Sequence, residues 1–218
     1  MNKQTTLLSS TVFILLLTSC FKMAMLYHGA HSPKMEKVAD IRAFAEKKSI
    51  PIEGSAMIAE DSIMYSFVTR MNDHILFDEN GYAIKFNSGF ENEKCGGNIL
   101  SFIEGLDTVS YIARDSNWTL EKESNMWVDF GTKNPYDIQK QLKGEAFNYC
   151  VVYYWNVFSG NPNHRDAIKG LQASIAKNPR VKIKMILVNH DIRDNIDFKK
   201  FAERANKIKG VKVEVNEN

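Results

Sequence analysis

Side chains that could do nucleophilic chemistry gather in the last third of the chain, where an apolar run gives way to polar residues. Ser159 follows the apolar run directly, and His164 lies five residues further on. A serine activated by a nearby histidine is the arrangement used in acyl transfer. However, Phe158-Ser159-Gly160 lacks the Gly-x-Ser-x-Gly elbow of many such enzymes. We therefore interpret Ser159 as a helix cap and His164 as a solvated loop residue, and the sequence predicts no catalytic residue.

The cysteines are a second source of chemistry. The chain contains Cys20, Cys95 and Cys150. Lys94 precedes Cys95 and would favour a thiolate there, whereas Cys150 lies in an apolar run where a thiol behaves as a small hydrophobic group. In an oxidising compartment Cys95 and Cys150 can pair as a disulfide. Two separate buried thiols are the alternative, and the sequence leaves both open.

The elements around Ser159 have the pattern of an α/β layer. Residues 147–155 and 181–188 are near-continuous apolar runs, typical of strands buried on both faces. A helix that begins at Asn161-Pro162 separates them, and a further helix over 196–208 and a strand over 211–215 follow. This order predicts parallel strand pairing, since each crossover between parallel strands needs a helix.

This region resembles the thioredoxin-like fold, in the branch of membrane-tethered periplasmic thiol–disulfide oxidoreductases. In that family an apolar strand runs into Trp-Ala-x-Trp-Cys-Gly-x-Cys at the start of a helix. Trp155 matches the first tryptophan, Phe158 the second aromatic residue, and Ser159-Gly160 the Cys-Gly pair. The ending Val188-Asn189-His190-Asp191 is similar to the Val-Asn-x-Asp that closes the family's next strand. The resemblance covers roughly residues 145–215.

The departures from the family pattern concern its chemistry. Ser159 stands where the attacking cysteine should be, and Pro162 or Asn163 where the resolving cysteine should be. Exchange of disulfides needs a thiolate, which a hydroxyl cannot replace. The resemblance therefore implies the fold without the redox activity. It also implies that partners dock on the loop where the family binds its substrates, which here contains Trp155, Asn156, Phe158, Ser159, Asn161 and His164.

The amino terminus has the pattern of a secretory signal. A basic start at Lys3, an apolar run over 7–17 and Leu17-Thr18-Ser19-Cys20 match a signal peptide of residues 1–19. The ending resembles the lipobox of bacterial lipoproteins, in which the cysteine thiol takes the lipid after cleavage. This implies that Cys20 is acylated and that residues 20–32 tether the folded part. An uncleaved membrane anchor is the alternative, but the stretch 7–27 reaches the necessary length only by including a lysine.

Composition narrows the partners. The net charge is +2, which gives no electrostatic case for binding nucleic acid. The five histidines are scattered without metal-site spacing, and we expect neither a metal nor another cofactor. Apolar residues make up 44% of the chain, enough for a hydrophobic core.

Residues 33–144 are expected to be α-helical at first and then rich in β-strands. The pattern predicts a helix over 33–48, started by Ser32-Pro33, and then a β-rich part over 49–144. Asn80-Gly81 between apolar runs indicates a hairpin. Further expected elements are a helix over 99–104, a second hairpin of 109–114 with 118–121, a strand over 126–130, and a helix from Asn134-Pro135 to Leu142. Residues 145–218 are expected to form an α/β part. The expected fold class is therefore α/β in this part and α+β for the chain overall. Residues 49–218 could form one domain.

These features predict a membrane-tethered envelope lipoprotein that faces the periplasm. Its expected contacts are the membrane, through Cys20, and a protein partner in the envelope whose identity the sequence does not reveal. Two alternatives stay open. One is an envelope enzyme, such as a thiol–disulfide oxidoreductase that uses Cys95 and Cys150. The other is an immunity-type lipoprotein that binds a toxin.

Overall fold

The computed structural model describes most of the chain between residues 34 and 194. The described residues are 34–63, 65–66, 74–85, 97–108, 113–143, 146–159, 161–194 and 203, with the side chains of 85, 97–98 and 161–163 excepted. The expected signal peptide, the tether, Cys95 and the strand expected over 211–215 lie outside this set, and of the helix expected over 196–208 only residue 203 is described, as helical.

Within these residues, seven strands form a single mixed sheet. They are β1 (Ala56–Ile58), β2 (His74–Asp78), β3 (Tyr82–Lys85), β4 (Ala113–Thr119), β5 (Trp127–Asp129), β6 (Tyr149–Trp155) and β7 (Ile183–Asn189), in the order β4-β3-β2-β6-β7-β1-β5. The pairs β6–β7 and β7–β1 are parallel, and the other neighbours are antiparallel. The protein is therefore mixed α/β, and its sheet joins strands from the β-rich part and the α/β part.

Helices cover both faces of the sheet. Those described are α1 (Val38–Lys47), α2 (Gly97–Glu104), α3 (Leu120–Ser124), α4 (Ile138–Leu142) and α5 (Asn161–Lys177). Alternate residues of β6 belong to different core clusters: Tyr154 packs with Trp127 and Tyr136, whereas Tyr153 packs in the cluster that contains residues of α1, α2 and α5. Because both faces are covered, β6 is apolar along its whole length.

Several expected elements are confirmed. β2 and β3 form the hairpin predicted around Asn80-Gly81, with Gly81 at a φ of 79°. The strands expected over 147–155 and 181–188 appear as β6 and β7 and pair in parallel, with α5 between them. The helix over 99–104 and the strand over 126–130 correspond to α2 and β5.

Other expectations about local structure are wrong. The hairpin expected to turn at residues 115–117 does not form, because 113–119 is one strand paired with β3. The turn-forming residues are absorbed as a bulge: Tyr82 pairs with Thr119 while Ala83 pairs with Asp115. Of the three helices expected to start at a proline, α5 begins at Asn161 as expected, whereas α1 and α4 begin later, at Val38 and Ile138. β1 was not expected at all.

Candidate functional site

The carboxyl ends of β6 and β7 bring together most of the buried polar side chains of the α/β part. The two strands are in parallel register, with Trp155 opposite Asn189. β6 continues into the loop 156–159 and β7 into residues 190–191. Open α/β sheets bind ligands outside the carboxyl ends of their strands. We therefore take this edge of the sheet as the candidate site.

His164, in the first turns of α5, lies at the centre of the site. Its Nδ1 is 2.9 Å from the Tyr153 hydroxyl, and its Nε2 accepts a hydrogen bond from the Asn156 backbone N–H at 3.3 Å. Because that N–H can only donate, Nε2 carries no proton, and Nδ1–H donates to Tyr153. Burial lowers the pKa of His164 to about 4, so the ring is neutral at physiological pH.

Ser159 completes this chain of hydrogen bonds. Its Oγ is 2.5 Å from His164 Nε2, and since that nitrogen is unprotonated, the hydroxyl donates to it. The serine is half-buried, whereas His164 is 1% exposed. Ser159 is therefore the end of the His164 network that solvent and ligands can reach.

Asn156 connects this network to the end of β7. Its Oδ1 accepts the Ser159 backbone N–H at 2.8 Å, which identifies the other amide atom as Nδ2. Nδ2 lies 2.7 Å from His190 Nε2 and donates to it. His190 must then carry its proton on Nδ1, and that buried nitrogen has no hydrogen-bond partner within the described part of the chain. Burial, and then the proximity of His164, lowers the pKa of His190 to about 3.

Asp191 fastens the loop after β6 to the end of β7. Both of its carboxylate oxygens lie 2.9 Å from the Val157 backbone N–H, and Asn189 Nδ2 donates to Oδ2 at 2.7 Å. Burial raises the pKa of Asp191 to about 7, although the hydrogen bonds from Asn189 and Val157 act in the opposite direction. The charge on this carboxylate therefore changes within the physiological pH range.

Aromatic rings close the site from the inside. Phe158 stacks on His190 with ring centroids 6.3 Å apart and an angle of 9° between the planes. Trp155 stacks on Phe130 at 6.4 Å. Both Phe158 and Trp155 are buried, so in this conformation they support the loop from the core side.

The structure brings three of the expected binding-loop residues, Asn156, Ser159 and His164, into one hydrogen-bonded network. Trp155, Asn156, Phe158 and His164 are buried, which leaves Ser159 as the accessible member among those whose burial is described. The side chain of Asn161 lies outside the described set. His164 is a buried network residue, where the sequence had indicated a solvated loop residue.

The site also contains Tyr153, Asn189, His190 and Asp191. The last three lie together because polar residues at the ends of neighbouring parallel strands meet at one edge of the sheet. Tyr153 opens the aromatic stretch before the loop, and its contact with His164 depends on which face of β6 it occupies and on where α5 packs.

The described cysteine lies away from this edge and is unreactive. Cys150 is a buried free thiol in the first half of β6, and burial raises its pKa to about 12. Thiol chemistry requires the thiolate, which this environment strongly disfavours. Cys20 and Cys95 lie outside the described residues, so the lipidation of Cys20 and the pairing of Cys95 with Cys150 stay predictions.

The described residues contain neither a metal-binding cluster nor a helix that could cross a membrane. Among them, no three histidine, cysteine or acidic side chains are grouped closely enough to hold a metal ion. No helix in the same set has the length and apolar character needed to cross a membrane.

Comparison with known proteins adds no family assignment. No family model matches the chain, and neither a curated protein nor a solved structure matches it. Function therefore has to be argued from the site.

Proposed function

We propose that this protein is a lipid-anchored lipoprotein of the bacterial envelope whose thioredoxin-like part is a redox-inactive binding module. Cys20 would hold it on a membrane, facing the periplasm, where it would bind a protein partner through the loop 156–159 and the start of α5. The observation that carries the proposal is Ser159. It is the accessible end of a buried hydrogen-bond network, at the edge of the sheet where α/β proteins bind ligands.

The strand–helix–strand unit supports the likeness to thioredoxin-like proteins. β6, α5 and β7 follow one another, and the two strands pair in parallel. Ser159 lies two residues before the first residue of α5, where the sequence resemblance puts the attacking cysteine. A neutral serine hydroxyl bonded to a neutral imidazole cannot exchange disulfides.

The buried thiol of Cys150 argues against the redox alternative. An oxidoreductase based on Cys95 and Cys150 would need Cys150 to reach solvent as a thiolate, but it is fully buried and its pKa is raised to about 12. A toxin bound by an immunity-type lipoprotein falls within the proposal, as one kind of protein partner.

Photo-crosslinking from the loop tests the binding proposal. p-Benzoylphenylalanine would replace Ser159 in the full chain, expressed in a bacterial host with its envelope intact. The matched control is the same replacement of Lys182, which is exposed at the opposite end of the sheet, just before β7. We expect a discrete crosslinked species from position 159 that excess wild-type chain competes away. Absence of that species, or equal crosslinking from both positions, would contradict binding at this edge.

A reductase assay tests the redox part independently. The full chain in detergent should not accelerate the reduction of insulin by dithiothreitol. Acceleration that disappears in Cys95→Ser would establish the enzyme alternative.

A further inference from the structure

We propose that Ser159 is a nucleophile that carboxylic esters acylate, with His164 as its general base. This goes beyond the proposed binding function, because it assigns covalent chemistry to a residue that binding alone requires only as a contact.

Ser159, His164 and Tyr153 have the geometry of an activated nucleophile with its base and an orienting group. An activated serine needs a base within hydrogen-bond distance and a third group that orients the base. Ser159 Oγ is 2.5 Å from His164 Nε2, and His164 Nδ1 is 2.9 Å from the Tyr153 hydroxyl. The serine and the orienting group thus lie on opposite nitrogens of one imidazole, as nucleophilic catalysis requires.

His164, the proposed base, is unprotonated on the nitrogen that faces Ser159. The Asn156 N–H also donates to His164 Nε2, at 3.3 Å, and so keeps that nitrogen unprotonated and turned towards Ser159. Burial holds the pKa of His164 down to about 4. The ring is therefore unprotonated throughout the neutral pH range, and because it is a weak base it takes up the serine proton slowly.

Ser159 is partly accessible and lies near the positive end of the α5 helix dipole. Ser159 is half-buried while His164 is fully buried, so an ester carbonyl can approach Oγ while the base stays shielded from water. α5 is a 17-residue helix that begins two residues after Ser159. The positive end of its dipole favours the negative charge that develops on the carbonyl oxygen during attack.

The reaction conserves atoms and electrons without a further reagent. Ser159 Oγ forms a bond to the ester carbonyl carbon as its proton passes to His164 Nε2. The bond from that carbon to the alcohol oxygen then breaks, and the alcohol leaves with the proton from His164. Water attacks the acyl-serine in the same way, gives one proton to His164, and releases a carboxylic acid as Ser159 recovers its proton. The sum is ester plus water to acid plus alcohol.

Tyr153, which orients His164, determines how fast we expect Ser159 to be acylated and deacylated. Burial raises the pKa of Tyr153, which therefore stays a neutral phenol and brings no negative charge to the imidazolium that forms during the reaction. The Asn156 N–H also disfavours a proton on Nε2. Both effects disfavour the imidazolium in acylation and again in deacylation. We therefore expect slow chemistry on small, activated esters, with an acyl-serine that is detected more easily than turnover.

The test is site-resolved acetylation of the full chain in detergent by p-nitrophenyl acetate, with acid quenching and peptide mass spectrometry. Acetyl-Ser159 should form in the wild type. In His164→Gln, whose amide oxygen can accept the serine hydrogen bond but is not a base, the rate at Ser159 should fall by about 100-fold or more. The matched control Ser116→Ala removes an exposed serine of β4 and should leave the rate at Ser159 unchanged.

The pH profile and a second variant separate a base from a merely structural histidine. In Asp191→Asn, which removes the nearby carboxyl with a pKa of about 7, the acetylation rate should be flat between pH 5.5 and 8, whereas a histidine with its ordinary pKa of about 6.5 would give a rise across that range. Tyr153→Phe keeps the ring in the core and removes the group that orients His164, so it should slow acetylation about tenfold. No acetyl-Ser159 in the wild type would overturn the proposal. So would an undiminished rate in folded His164→Gln or, should that variant not fold, in Tyr153→Phe.

Discussion

Replacing Asn156 with alanine should strongly destabilise the protein, because its buried amide hydrogen-bonds both His190 and Ser159. The amide donates to His190 Nε2 at 2.7 Å and accepts from the Ser159 N–H at 2.8 Å. Asn156 itself is fully buried, so Asn156→Ala leaves both groups without their partner. Leaving one buried polar group unpaired costs about 1–3 kcal/mol. Two such groups lower the free energy of unfolding by about 2–6 kcal/mol, towards the lower end because Ser159 is only half-buried.

Urea unfolding of the full chain in detergent, followed by circular dichroism at pH 7.5, measures this loss. Asn125→Ala is the matched control, because Asn125 is exposed at the end of α3. A surface replacement of this kind should change the free energy of unfolding by less than about 0.5 kcal/mol.

Equal stability of Asn156→Ala and Asn125→Ala would refute the reasoning. It would mean that the network around Asn156 contributes no net stability and that the loop 156–159 is not held by it.

Three further predictions concern other buried groups. The pKa values of His164 and His190 are lowered to about 4 and 3, so below pH 6.5 both residues bind protons in the unfolded chain but not in the folded one, and the free energy of unfolding falls as the pH falls. The pKa of Asp191 is raised to about 7, so below pH 7 it binds a proton in the folded chain first, and its contribution to the free energy of unfolding rises as the pH falls. Two histidines against one aspartate give a net loss of about 1 kcal/mol per pH unit between pH 6 and 4.5, and Asp191→Asn should about double that slope in urea titrations. Cys150, with a pKa of about 12, should resist iodoacetamide in the folded chain and react once urea unfolds it, and rapid alkylation of the native protein would contradict its burial. Glu123→Ala should cost at least about 1–3 kcal/mol, because it removes the buried acceptor of both the Trp118 indole N–H and the Tyr154 hydroxyl; unchanged urea unfolding would show that these hydrogen bonds contribute little.

The elements that hold the site could be predicted from the sequence because their burial has a local signature. β6 and β7 are apolar along their length since helices cover both faces of the sheet. The hairpin between β2 and β3 follows from Asn80-Gly81, whose glycine adopts a positive φ. Ser159 could be recognised from the sequence because it lies where an apolar strand ends and a helix begins.

The side-chain network could not be predicted, because it depends on register and on contacts between distant residues. The contact of Tyr153 with His164 joins one face of β6 to α5. Glu123 has the sequence character of a solvated charge on a short helix, yet it is buried under Tyr154. β1 has only three residues and too little pattern to be recognised, and it becomes a strand because β5 and β7 both pair with it.

Intact-mass spectrometry of the chain purified from a bacterial host tests the central claim, an envelope lipoprotein, most directly. We expect a polypeptide that begins at Cys20 and carries acyl chains on that residue. An unprocessed chain that still begins at Met1, without added lipid, would contradict it.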